Sequence, residues 1–99
     1  MAKPVKYIIR NSSESTNGYV VLTVQQIEML RLLAEGFEQG NIGNTFSLRA
    51  GTTHNYFTFL NEITDCHNPQ GLVGWAFKHA VLLPVDRKII INPSLEIFV

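Results

Sequence analysis

Residues 49–58 concentrate side chains that can make hydrogen bonds to another molecule. Arg49 can form a bidentate pair with guanine or hold a phosphate, and Asn55 can pair with adenine. Threonine hydroxyls can donate to phosphate, and the charge of His54 depends on local pH. The candidate binding residues are therefore Arg49, Thr52, Thr53, His54, Asn55 and Thr58. The same residue types are also ordinary on a solvated helix face, so both interpretations stay open.

Other kinds of chemistry have little support in the sequence. Cys66 is the only cysteine, which excludes an internal disulfide, and no cysteine and histidine cluster has the spacing of a zinc site. No histidine, cysteine and acid have the spacing of a nucleophilic catalytic site. We therefore expect neither an enzyme nor a cofactor, and we interpret Cys66 as a small buried side chain.

Helical patterns surround and include residues 49–58. Thr23 and Gln26 have the spacing of a capping box, which predicts a helix over residues 24–35. A short helix over 40–46 and a third helix over 50–64 follow the apolar spacing. Asn68 and Pro69 predict the start of a fourth helix, which ends before Pro84. This order indicates a helix-turn-helix whose third helix presents its polar side outward.

Both ends of the chain have strand character. Residues 4–10, 19–22, 87–91 and 95–99 are rich in β-branched and aromatic residues, and turn signals separate them. The first two strands can pair as a hairpin across the polar loop of residues 11–18. With 99 residues and no linker, the chain is expected to form one domain over 1–99, with a helical core at about 22–83.

The helical region resembles the DNA-binding domain of the LuxR (GerE-like) transcription regulators. The gapless match covers roughly residues 22–83, and it is best at Leu22-Thr23 and at the run from Ile27 to Gly36. Further matches are Ile42, Gly51-Thr52 and the run from Leu72 to His79. The resemblance implies a mainly α fold, with a four-helix core and short β-strands added by both ends. It also implies a homodimer that contacts through the fourth helix, for which the candidates are Leu72, Trp75, Phe77 and His79.

The chain departs from the family pattern mainly in the third helix. Arg49 stands where the family usually has serine, Thr53 where it has valine, and His54 where it has lysine. Ile63 replaces a second lysine, Asp65 replaces a glycine, and His67 replaces a basic residue. The resemblance therefore supports the fold more strongly than it supports binding to DNA.

The distribution of charge limits how strongly one copy can bind DNA. Eight basic and eight acidic residues cancel, and Arg49 is the only arginine or lysine between residues 40 and 77. Strong binders neutralise roughly 6 to 10 phosphates, which one arginine cannot do. We therefore expect weak binding to double-stranded DNA by a monomer. The cations Lys3, Lys6, Arg10, Arg87 and Lys88 lie in the flanking strands, which could contact the DNA backbone or, as we favour, help dimerisation.

Two functions from different classes fit these observations. The first is a cytoplasmic bacterial transcription regulator that binds DNA as a homodimer. The second is a degenerate helix-turn-helix that binds another regulatory protein and not DNA. The intact scaffold favours the first function, and the lack of cations in the third helix favours the second. No apolar run approaches the roughly 18 to 20 residues that span a bilayer, so we expect no contact with a membrane.

Overall fold

More residues lie in helices than in strands in the computed structural model, which describes residues 5–10 and 18–98. The remaining positions lie outside the described residues, and they include Lys3, most of the predicted polar loop and the last residue of the predicted C-terminal strand. The elements are β1 (Lys6–Arg10), β2 (Tyr19–Thr23), α1 (Val24–Ala34), α2 (Gln39–Thr45), α3 (Ala50–Thr64), α4 (Pro69–Lys78), β3 (Leu82–Val85), β4 (Lys88–Ile91) and β5 (Glu96–Phe98).

The fold class is mixed α/β, and the prediction of a mainly α protein with a four-helix core was wrong. Helices make up 49% and strands 24% of the described residues, and the strands form two antiparallel sheets. The reason is that strand residues share the core with the helices. Ile9, Val20 and Leu22 from the first sheet are buried together with Leu30 of α1 and Leu60 of α3.

The first sheet joins the two ends of the chain. Its strand order is β2-β1-β5, and both neighbours of β1 run antiparallel to it. Opposite Tyr7 lie Leu22 on one side and Ile97 on the other, so one face of the sheet continues across all three strands. The predicted hairpin between the first two strands is confirmed. The pairing of the last strand with the first could not be read from local patterns.

The capping box at the start of α1 is confirmed. The Gln26 amide donates to the Thr23 hydroxyl oxygen at 3.1 Å, and the Thr23 amide donates to Gln26 Oε1 at 2.8 Å. These bonds satisfy two amides that otherwise lack a partner in the first turn. They also set the point at which strand β2 turns into the helix.

Helix α4 ends earlier than predicted, and a strand that the sequence analysis missed follows it. Ala80 adopts a left-handed conformation with φ of 55°, and the Val81 amide donates to the Ala76 carbonyl at 2.8 Å. This hydrogen bond is typical of a helix C-terminus and stops α4 at Lys78. The chain then forms β3, which pairs with β4 as a hairpin.

The β3–β4 hairpin is closed by Asp86 and Arg87, which both have positive φ, at 49° and 66°. Two successive residues of this kind form the tight turn that suits a right-handed twisted hairpin. Glycine or asparagine is the usual choice at such positions because a Cβ is disfavoured there.

Among the described residues, no helix is long and apolar enough to cross a bilayer.

Candidate nucleic-acid interface

Helices α2 and α3 are separate and in close contact, as the helix-turn-helix prediction requires. Gly43 of α2 is buried against Thr53 of α3, and a Cβ placed on Gly43 would lie 3.1 Å from Thr53 Cβ and closer still to its hydroxyl oxygen. The residues between the helices include Ser47, which has a positive φ of 57°. The small residue in α2 therefore allows the backbones of the two helices to approach each other.

Thr53 belongs to this internal contact and not to the outer face of α3. Its side chain is 2% exposed, and its hydroxyl donates to the Arg49 carbonyl at 3.0 Å. Thr53 also lies four residues before Phe57 and seven before Leu60, which are both buried. It shares the core-facing side of α3, so we remove it from the candidate binding residues.

The N-terminal end of α3 combines an exposed cation with backbone amides. Arg49 is the N-cap residue, it is exposed, and no side chain accepts a hydrogen bond from the first turn. The first backbone hydrogen bond of the helix runs from the Thr53 amide to the Arg49 carbonyl at 2.9 Å. The amides before it point out of the helix end, next to the exposed Thr52. Such an end is suited to holding a phosphate group.

The outer face of α3 carries the other predicted residues. Thr52, His54, Asn55 and Thr58 are all exposed. Phe59 lies on the same side of the helix and is 45% exposed, which the sequence analysis did not anticipate. The signal for it was present, because Phe59 is out of phase with the buried positions on α3. The outer face is therefore polar with one large apolar side chain.

Charges on α3 are arranged along its length. Arg49 stands at the N-terminal end, and Glu62 and Asp65 are exposed at the C-terminal end. Both placements oppose the helix dipole, which favours anions at the N-terminus and cations at the C-terminus. The potential of the helix is therefore most positive at the end that holds Arg49, and only this end favours a polyanion.

Two other arginines of the described chain are engaged in ion pairs. Arg31 of α1 is paired with Glu28, and its Nη1 also lies 3.7 Å from Oε1 of Glu35. The hydrogen bond to Glu28 raises the pKa of Arg31. Arg10 of β1 donates to Glu96 of β5 at 3.1 Å. Neither arginine adds an uncompensated charge for phosphate binding.

Two of the predicted dimer residues on α4 are in the core. Leu72 is 1% exposed and Trp75 is 7% exposed, and both pack with residues from the other helices. Their side chains are therefore not accessible to a second copy. For Trp75 the sequence left burial and dimer contact equally open, and burial is what the structure shows.

The other two predicted dimer residues are only partly accessible. Phe77 and His79 are half-buried, and the His79 ring centroid lies 5.1 Å from that of Trp75. Burial is the main cause that lowers the pKa of His79, and the charge of Lys78 lowers it further. A hydrogen bond with the Arg10 backbone acts in the opposite direction.

No family model, curated protein or solved structure matches the chain.

Proposed function

We propose that this protein is a cytoplasmic DNA-binding transcription regulator that uses α2 and α3 as a helix-turn-helix and acts as a homodimer. The observation that carries the proposal is the division of α3 into two sides. The side with Thr53 and Phe57 is buried, while the opposite side exposes hydrogen-bonding residues next to an uncapped helix end. This is the arrangement that a helix needs to lie in the major groove.

Each exposed residue has a role that its chemistry supports. Arg49 and the first amides of α3 would hold a phosphate, which sets the position of the helix on the duplex. Asn55, about one and a half turns into the helix, would read adenine through its amide. Thr52 and Thr58 would add contacts to phosphate or to thymine methyl groups. His54 would add a hydrogen bond to a phosphate oxygen.

The resemblance to the LuxR-type domains supports the same assignment. In that family the second and third helices form the helix-turn-helix, and the corresponding segments here are α2 and α3. The departures at Arg49 and His54 leave each copy with few cations at the interface. A homodimer would double the contacts, which is why we include dimerisation in the proposal.

A duplex titration tests the proposal. Fluorescence anisotropy with random and promoter-derived duplexes should show binding at micromolar protein in low salt. Arg49→Ala should weaken binding to every duplex and reduce the salt slope by about 1 for each subunit, because one phosphate contact is lost. Lys78→Ala, which removes an exposed cation at the end of α4, is the matched control and should bind like the wild type. No complex in low salt would contradict the proposal.

A second candidate function is favoured by the composition of the same face. Phe59 is exposed there, and Glu62 lies on the same side as Asn55. Exposed aromatic residues are enriched at protein–protein interfaces, and a carboxylate repels a phosphate backbone. The second function is therefore a helix-turn-helix that binds another regulatory protein. If Phe59→Ser leaves duplex binding unchanged and Arg49→Ala also has no effect, the second function becomes the better explanation.

A further inference from the structure

Strand β5 leaves one edge of the first sheet open. It pairs with β1 on one side, with Phe98 opposite Lys6, Ile97 opposite Tyr7 and Glu96 opposite Ile8. In the described part of the chain no strand lies on its other side. All three β5 residues are exposed. The backbone of β5 therefore presents hydrogen-bonding groups that a further strand could use.

The open edge is apolar and weakly protected. Ile97 is 58% exposed and Phe98 is 44% exposed, and they lie on opposite faces of the sheet. Edge strands are usually protected by charged side chains, proline, a bulge or a very short length, and β5 has only Glu96 and its length of three residues. Its one charged residue, Glu96, is held by Arg10 across the sheet at 3.1 Å. An edge of this kind is expected to pair with another strand.

We propose that β5 pairs antiparallel with β5 of a second copy of this chain, around a twofold axis that passes beside Ile97. The two three-stranded sheets then become one six-stranded sheet with the order β2-β1-β5-β5-β1-β2. This inference rests on the proposed function, since it identifies the interface of the homodimer. It replaces the contact through α4, because Leu72 and Trp75 of that helix are buried in the core.

The charges on β5 favour one register. In antiparallel pairing centred on Ile97, each Ile97 faces its copy and each Glu96 faces Phe98 of the other strand. A register centred on Glu96 would place two carboxylates directly opposite each other, which is unfavourable. In the favoured register, Lys6 lies beside Phe98 on the same face, and Glu96 of the second copy lies on the other side of that ring. The row therefore alternates cation, aromatic ring and anion.

A second copy is the proposed occupant because pairing about Ile97 keeps the two Glu96 carboxylates apart and places each of them opposite Phe98 of the other strand. In a twofold interface, if a residue of one copy contacts a given residue of the second copy, the reverse contact is also made. Pairing about Ile97 meets this condition. The contact is short, so its buried area falls below the roughly 1,200 Å² of a standard stable interface. We expect a reversible dimer that dissociates on dilution.

Sedimentation velocity over a range of concentrations tests the proposal on the full chain. Ile97→Lys places a protecting residue on the open edge and should raise the dimer dissociation constant by at least about 30-fold. Tyr19→Lys is the matched control, because Tyr19 is an exposed apolar residue on β2 at the opposite edge of the same sheet. It should leave the dimer unchanged. A wild-type protein that stays monomeric at about 100 μM overturns the proposal.

Crosslinking provides a second measurement that does not depend on the lysine variant. In a Cys66→Ala background, Ile97→Cys should form a disulfide-linked dimer under mild oxidation, because the two positions face each other across the axis. Tyr19→Cys in the same background should form no disulfide-linked dimer, because position 19 lies at the opposite edge of the sheet. Crosslinking at position 19 and not at position 97 would assign the interface to β2 and overturn the proposal.

Duplex binding by the same variants separates this inference from the proposed function. If the Ile97→Lys monomer binds a two-site duplex as tightly as the wild type, DNA binding stands and the β5 interface has no part in it. If the wild type dimerises through β5 and binds no duplex, the interface stands and the DNA-binding function fails.

Discussion

The side chain of Thr53 on α3 occupies the space beside Gly43 on α2, where any other residue would place its Cβ. Gly43→Ala should therefore force the two helices apart. Overpacking of this kind costs about 1 to 3 kcal/mol, and the better helix propensity of alanine offsets about 1 kcal/mol of that. We expect a net loss of up to about 2 kcal/mol in the free energy of unfolding, measured by urea titration.

Two further variants make this measurement specific. Gly40→Ala is in the same helix, where a Cβ meets nothing within 4 Å, and it should stabilise the protein by up to about 1 kcal/mol. Thr53→Ala removes the hydroxyl and the methyl group that meet the new Cβ. The double variant with Gly43→Ala should be more stable than the sum of the single changes predicts. Strict additivity would show that the two residues do not compete for space.

Leu72→Ala should act on stability and not on self-association. Leu72 is buried in the core, so truncation should cost about 2 to 5 kcal/mol in the free energy of unfolding. Val73 is the next residue and is only half-buried, so Val73→Ala should cost clearly less. Thermal unfolding at several protein concentrations gives both values. A Leu72→Ala protein of normal stability with a weakened dimer would instead restore the α4 interface.

Asn55→Ala should separate stability from sequence recognition. Asn55 is exposed on α3, and alanine has the better helix propensity, so the free energy of unfolding should not fall. The loss of the amide should remove about 1 to 3 kcal/mol of discrimination at one adenine position. Selection of bound sequences from a random duplex pool, with wild type and variant side by side, measures this. An unchanged sequence preference would exclude Asn55 from base recognition.

His79 should make the protein less stable in mild acid. Its folded-state pKa lies below the ordinary value of 6.5, mainly because of burial. The unfolded chain then binds the proton more tightly, so the contribution of His79 is complete above pH 6.5 and is lost as the pH falls through the folded-state pKa. The difference in unfolding free energy between wild type and His79→Gln should shrink from pH 8 to about pH 5.

Lys78→Gln is the matched control for the pH measurement. The charge of Lys78 is the second cause that lowers the pKa of His79, so its removal should reduce the pH dependence without abolishing it. A difference between wild type and His79→Gln that stays constant across this range would show that His79 has no part in the acid response.

The helices were predictable because their signals are local. Thr23 with Gln26, and Asn68 with Pro69, mark helix starts within a few residues, and the structure has both caps in place, with Asn68 Oδ1 accepting from the Gly71 amide at 2.7 Å. The fold class was not predictable in this way. The pairing of β5 with β1 depends on residues about 90 positions apart in the sequence. Strand β3 was missed because it contains Pro84, which was interpreted only as a residue that follows the end of a helix.

The candidate site was predicted in part, for a similar reason. Helical phase places Thr52, Asn55 and Thr58 on the exposed side of α3, as the structure has them. The same phase puts Thr53 in line with Phe57, but the partner that buries it, Gly43, is on another helix. The period of one helix is enough to predict which of its side chains are exposed. A contact such as that between Thr53 and Gly43 depends on how two helices pack.

The turn at Asp86 and Arg87 has a consequence for the order in which the protein folds. Both residues must enter a backbone region that their side chains disfavour, so the β3–β4 hairpin gains little from its own bend. It needs α1, against which β4 packs, to be present already. We expect amides of α1 to become protected from hydrogen exchange before those of β4 during refolding. The β3–β4 hairpin would then form after α1, on a surface that this helix already provides.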